Sequence, residues 1–174
     1  MYLRLGKATM TTTAKAQLKV ADEVWIAAAL LHREHPEAAD FSIEEIVERV
    51  RKEGLHETMR PGIYVHVVQH CVANRPPNPG RYRMLFETAG GRRRLFRKGD
   101  PSHPDREGAK VTPRAEELPR KHAELLGWYE KWSDEANRSR VEDDPLLKLK
   151  GLGAHLWADE TPDEYVERLR EGWE

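Results

Sequence analysis

The fold is decided by residues 60–99, which read RPGIYVHVVQHCVANRPPNPGRYRMLFETAGGRRRLFRKG. Apolar residues after Pro61 predict a helix that ends before Pro76, because proline is tolerated in the first helical turn and excluded from later ones. Two strand-like runs then flank Gly90 and Gly91, which predicts a β-hairpin with a two-residue turn. This stretch is therefore predicted to form a helix, a loop and a hairpin.

Two further helices are predicted before this stretch. Residues 15–34 carry apolar residues at helical spacing. The next helix begins at Ser42, which can form a capping box with Glu45, and ends at Gly54. Three helices followed by a hairpin predict a mainly α chain with a β-hairpin (α+β), in the order of a winged helix-turn-helix domain.

Four regions are predicted along the chain. They are a flexible N-terminal tail (1–14), the winged helix-turn-helix domain (15–104), a loop with a long helix (105–140), and an amphipathic partner-binding tail (141–174). The leucine and aromatic content of residues 114–137 predicts dimerisation there and a homodimer. In the tail, Thr161, Pro162 and Glu164 predict the start of a helical extension.

Charge is distributed unevenly between the middle and the end of the chain. Residues 60–98 hold nine lysines and arginines against Glu87, whereas residues 141–174 hold ten acidic residues against four basic ones. The basic middle and the acidic tail predict different partners. The alternative interpretation is that both are solvated faces.

Several classes of protein are disfavoured. No apolar run is long enough for a membrane helix, and the N-terminus lacks the apolar centre of a signal peptide. The single cysteine, Cys71, excludes an internal disulfide, so a cytoplasmic location is expected. No phosphate-binding loop, dinucleotide fingerprint or hydrolase motif is present, which predicts no enzyme activity and no cofactor.

Two groups of potential metal ligands are weak candidates. His66 and His70 share a helical spacing, but no acidic or cysteine partner has suitable spacing and Cys71 belongs to the core side. The second group is Asp159, Glu160, Asp163 and Glu164. Carboxylates at the start of a helix are an ordinary response to the helix dipole, so no metal site is predicted.

The basic hairpin and the third helix form the predicted DNA site. A duplex carries dense phosphate charge, so an arginine-rich ribbon attracts it whatever its sequence. The third helix would lie in the major groove, where Gln69 could pair with an adenine edge. The predicted DNA-binding residues are Arg60, His66, Gln69, Arg83, Arg92, Arg93 and Arg94.

Two segments also resemble known families. The run YVHVVQHCVANRPPNPGRYRMLFETAGGRRRLFRKGD resembles a poorly characterised prokaryotic winged-helix family, which implies the fold and binding to double-stranded DNA. The end, DPLLKLKGLGAHLWADETPDEYVERLREGWE, resembles the C-terminal segment of antitoxins that neutralise PIN-domain ribonuclease toxins. This second resemblance implies a partner-binding tail whose candidate residues are Trp157, Tyr165, Leu169, Arg170 and Trp173.

The sequence therefore predicts a DNA-binding transcriptional regulator. The resemblance of the tail suggests an antitoxin that represses its own operon and holds a toxin. Two alternatives remain open: a protein-interaction or dimerisation module that binds no nucleic acid, and an accessory subunit of a nuclease system.

Overall fold

The computed structural model describes residues 18–142 and 161–171. The chain is a mixed α+β protein with one two-stranded antiparallel hairpin. Its elements are α1 (Val20–Glu34), α2 (Ile43–Glu53), α3 (Gly62–Val65, continued by a π-helical turn over His66–His70), β1 (Leu85–Glu87), β2 (Arg93–Leu95), α4 (Glu124–Glu142) and α5 (Pro162–Glu171). The predictions for residues 1–14, Trp157 and Trp173 concern positions outside the described residues.

The chain divides into two compact units, and each is described by itself. Among the described residues, the first unit contains 18–96 and 100–130. The second contains 97–99, 131–142 and 161–171.

α1 is the central helix of the first unit. Every residue from Ala21 to Leu30 is buried, and a helix that is buried all round belongs in a core. α2 is amphipathic and buries only Ile46 and Val50. The capping box predicted at its start is confirmed: the Ser42 hydroxyl accepts a hydrogen bond from the Glu45 amide at 3.1 Å.

α3 is shorter than predicted. Ile63, Val67 and Cys71 are buried, whereas Tyr64 is 56% exposed. The Cys71 amide donates to the carbonyl of His66, five residues earlier, at 3.0 Å. A π turn holds more residues than an α turn, so Ile63, Val67 and Cys71, each four residues apart, stay closer to one side than in a continuous α-helix.

The predicted hairpin is confirmed, but its turn is longer than expected. Leu85 pairs with Leu95 and Glu87 with Arg93. The Thr88 amide donates to the Arg92 carbonyl at 3.0 Å, so residues 89–91 form a three-residue loop. Gly90 and Gly91 have φ of 68° and 74°, a left-handed conformation that explains the glycine pair.

The long helix was predicted to begin at Arg114, but it begins ten residues later, at Glu124. Short 3₁₀ turns at Ala115–Glu117 and Arg120–His122 precede it, because Pro119 lies between them and cannot sit inside a helix. Leu125 and Tyr129 are buried within the first unit, and the Tyr129 ring meets the edge of Trp25 at 5.6 Å. The core of the chain itself therefore uses much of the apolar content that predicted dimerisation.

The second unit contains the end of α4 and the helix α5. The Lys98 amide donates to the Ser133 hydroxyl at 2.9 Å, and the Arg97 guanidinium lies 4.6 Å from the Trp132 ring. The predicted start of α5 is confirmed by a capping box in which the Thr161 amide donates to the Glu164 carboxylate at 2.7 Å.

Candidate binding surfaces

Arg93 lies inside the protein, although its sequence context predicted contact with DNA. It is 1% exposed. Its guanidinium donates to the carbonyls of Val67 (3.1 Å) and Val68 (3.2 Å) and to two carbonyls of the hairpin loop. Its other partner is the Glu87 carboxylate at 3.3 Å. A phosphate cannot reach this side chain while the hairpin is folded, so the burial of Arg93 does not favour the predicted DNA contact, which stays a prediction.

Arg94 points to the opposite face of β2 and is also buried. It is 8% exposed and binds both carboxylate oxygens of Asp100 at 2.6 and 2.9 Å. Its guanidinium lies 4.4 Å from the centre of the Phe86 ring. Such a two-point pair is among the stronger hydrogen-bonded contacts in proteins. The geometry of Arg94 therefore does not favour its predicted role in DNA contact either.

Arg92 is partly exposed, and two carboxylates hold it. Its guanidinium donates to Asp40 at 2.5 Å and to Glu45 at 3.3 Å, and 42% of its side chain remains exposed. Partial burial opposes ionisation of Asp40, but hydrogen bonds from Thr88 and Arg92 hold the pKa of this carboxyl below its usual value. A phosphate at Arg92 would have to compete with both carboxylates.

Arg60 stands just before α3 and connects it to α1. It donates to the carboxylate of Glu23 and to the Leu18 carbonyl at 2.8 Å. Burial raises the pKa of Glu23, and the neighbouring Arg60 opposes this rise. The positive charge of Arg60 therefore compensates the negative charge of the buried Glu23 carboxylate in α1.

The polar side chains of α3 lie beneath a loop. We call residues 76–82 the strap. Gln69 donates to the strap carbonyl of Pro76 at 2.7 Å, and the His66 Nδ1 donates to the Gly62 carbonyl at 2.8 Å. Gly80 packs so closely that a Cβ added there would lie 2.7 Å from the Cβ of His70. His66 and Gln69 are thus partly covered on the side that was expected to face DNA.

Arg106 holds the strap in place and was missed by sequence reasoning. This arginine is fully buried. It donates to five backbone carbonyls, those of Gln69, His70, Arg75, Pro76 and Tyr82, at 2.6 to 3.3 Å. No local pattern marks it, because its partners lie more than twenty residues earlier in the chain.

Arg83 is half-buried at the start of the hairpin. Its side chain donates to the Ala109 carbonyl at 3.3 Å and lies 5.7 Å from the Phe96 ring. The seven predicted DNA-binding residues therefore do not present one common cationic surface. Each is engaged with a different part of the first unit.

The exposed side of α3 is apolar. Tyr64 and Val65 are 56% and 43% exposed, and Met59 lies exposed just before the helix. The sequence analysis did not predict this surface. Large apolar side chains that are exposed together are typical of interaction surfaces.

α5 exposes the apolar residues predicted to bind a partner. Tyr165 and Leu169, the two apolar residues predicted on this helix, are 37% and 46% exposed, and Val166, which was not predicted, is 43% exposed. The Arg168 guanidinium lies 5.1 Å from the Tyr165 ring. Arg170 follows Val166 by one turn and is exposed, so a cation lies beside the apolar residues.

The remaining observations concern ligands, membranes and relatives. Within residues 18–142 and 161–171, no three histidine, cysteine, aspartate or glutamate side chains come together as a metal site would require. In the same ranges, no helix combines the length and apolar character needed to cross a membrane. Comparisons of the chain with protein families, with curated proteins and with solved structures found no match.

Proposed function

We propose that this chain is a protein-binding regulator whose C-terminal helix α5 engages the partner. The observation that carries the proposal is the exposure of Val166 and Leu169 on a helix of 10 residues. Such a short helix is only marginally stable in water by itself, so burial of this face in a partner groove would stabilise it.

The charge beside this face favours a partner with exposed carboxylates. Arg170 is exposed one turn after Val166, and a guanidinium pairs with carboxylates through two parallel hydrogen bonds. The resemblance of the tail to antitoxins suggests a PIN-domain ribonuclease as the partner. Its acidic active site would receive Arg170 while Val166 and Leu169 fill an apolar groove.

Affinity purification from the native host with the full chain as bait tests this proposal. We expect a partner that is retained by the wild type and lost from the Val166→Ser/Leu169→Ser variant. The Glu167→Gln/Glu171→Gln variant is the matched control, because both glutamates are exposed on the same helix. Titration of the purified partner should then show at least about tenfold weaker binding by the serine variant alone. Equal binding by wild type and serine variant would refute the proposal.

A second candidate function, DNA-binding transcriptional regulation, is favoured by the topology of the first unit. Phe41 forms an antiparallel bridge with Arg93 through two hydrogen bonds of 2.8 Å each, so a third extended segment lies beside β2. Three helices with a segment between the first two that pairs with the last strand support the proposal that the first unit is a winged helix. The fold alone does not decide between nucleic acid and protein as the ligand.

Fluorescence anisotropy of a labelled duplex separates the two candidates. Arg93 and Arg94 lie in the interior. Arg81 in the strap and Arg83 just before β1 are therefore the cations near the hairpin that are best placed for phosphate. If the chain binds DNA there, affinity falls steeply with salt and is weakened in the Arg81→Gln/Arg83→Gln variant. The matched control is Arg114→Gln/Arg120→Gln, since both arginines are exposed. Equal loss in both variants would indicate nonspecific attraction only.

A further inference from the structure

The strap covers the polar side of α3 and is held by few contacts. Gln69 and Arg106 supply the hydrogen bonds to it, and Gly80 packs on His70. None of residues 76–82 is buried. A segment with little buried surface opens locally at a lower free energy than the whole domain. Its three prolines restrict its backbone dihedral angles, so we expect the strap to move as one segment.

Two histidine rings lie in contact beneath the strap. The centres of the His66 and His70 rings are 4.7 Å apart, and the His66 ring lies 6.2 Å from that of Tyr82 in the strap. A proton on each ring would place two positive charges at this separation, where Coulomb repulsion is substantial in a partly buried site.

Two cations flank this ring contact: Arg60 precedes α3, and Arg106 donates to the His70 carbonyl. On the side of α1, Val20 lies beside Gly62, and the Glu23 carboxylate is paired with Arg60. The ion pairs between histidine and carboxylate that are found within the described ranges involve His56, His103 and His122. Within those ranges, neither His66 nor His70 forms an ion pair with a carboxylate.

We propose that the strap is an acid-released cover: protonation of His66, whose ring contacts that of His70, detaches residues 76–82 from α3 and exposes its polar side. Burial lowers the pKa of His66, and the neighbouring His70 and Arg60 lower it further, against the hydrogen bond to the Gly62 carbonyl. A ring that is less basic when covered binds its proton preferentially in the open form. The closed strap is therefore fully favoured above the ordinary histidine pKa and is lost as the pH falls below it. This proposal does not depend on whether the ligand of the chain is a protein or DNA.

A spin label on the strap measures its release in the full chain. Asn78→Cys places the label at an exposed strap position, and the native Cys71 is fully buried, so labelling is selective. Between about pH 7.5 and 5 we expect the mobile spectral component to rise severalfold relative to the immobile one, because this interval spans the ordinary titration range of histidine. Circular dichroism at the same pH values should show the helices intact.

Two controls make the result decisive. His66→Gln/His70→Gln should abolish the pH response, whereas His35→Gln, which alters an exposed histidine, should retain it. If the double variant does not fold, NMR titration of the wild-type imidazoles serves instead, and strap release must follow the His66 and His70 transitions. A pH-independent label, release at a different pH, or loss of helix together with release would overturn the proposal.

Discussion

Arg93 and Arg106 divide the four carbonyl oxygens at the end of α3 between them. Arg93 binds those of Val67 and Val68, and Arg106 binds those of Gln69 and His70. The last carbonyls of a helix have no partner within it and form the negative end of its dipole. Two guanidinium groups meet both needs, so these arginines close a short helix that has few hydrogen bonds of its own.

Replacement of Arg106 should destabilise the first unit. Lysine keeps the charge but has one compact ammonium group, which cannot reach five carbonyls arranged around a planar guanidinium. We expect Arg106→Lys to lower the free energy of unfolding by about 2–3 kcal/mol in urea denaturation. Arg114→Lys, at an exposed position, should change it by less than about 0.5 kcal/mol. Similar small effects for both would show that the carbonyl contacts contribute little.

Gly80 should be intolerant of a side chain. A Cβ at this position would lie 2.7 Å from the Cβ of His70, so the strap must move away from α3. We expect Gly80→Ala to cost about 1–3 kcal/mol in the same denaturation experiment. Gly127→Ala, where a Cβ meets nothing within 4 Å in the first turn of α4, should be neutral or stabilising by up to about 1 kcal/mol. A neutral Gly80→Ala would contradict the close packing.

The first turns of α4 should behave as core of the first unit. Leu125 is completely buried, whereas the adjacent Leu126 is partly exposed. We expect Leu125→Ala to lower the free energy of unfolding by about 2–5 kcal/mol. Leu126→Ala should cost about 1 kcal/mol or less. Equal losses at the two positions would mean that the helix does not present the face described here.

Glu117 should stay ionised in unusually acidic solution. Hydrogen bonds from Lys110 and Lys19, together with the Arg114 amide, lower its pKa to about 2. Because the folded state favours the carboxylate, this contribution to stability is complete above the unfolded pKa of 4.5 and is lost as the pH falls towards 2.

NMR titration of the Glu117 carboxyl carbon checks this value directly. Lys110→Met should raise the midpoint more than Lys19→Met, since Lys110 makes the larger contribution. A wild-type midpoint near 4.5 would contradict the network.

The helix boundaries that could be predicted are those set by neighbouring residues. Ser42 with Glu45, and Thr161 with Glu164, form capping boxes within one turn, and Gly54 adopts the left-handed conformation that ends α2. The start of α4 could not be placed in the same way. Two 3₁₀ turns around Pro119 interrupt a stretch whose composition favours a helix.

The role of the hairpin arginines could not be predicted, because their partners lie outside the local charge pattern. The basic stretch ends before Asp100, which pairs with Arg94, and begins well after Asp40, which pairs with Arg92 across 52 positions. Counting charge along residues 60–98 therefore overstated the cationic surface.

The central claim is that Arg93 serves the fold, and denaturation of Arg93→Met combined with duplex binding tests it most directly. We predict that the free energy of unfolding falls by about 3 kcal/mol, because four carbonyls and Glu87 lose their buried partner. The exposed control, Arg81→Met, should change stability by less than about 0.5 kcal/mol. Any duplex affinity should be unchanged when it is compared at equal folded fraction. A variant that keeps wild-type stability and loses duplex binding would contradict the account and return Arg93 to the DNA surface.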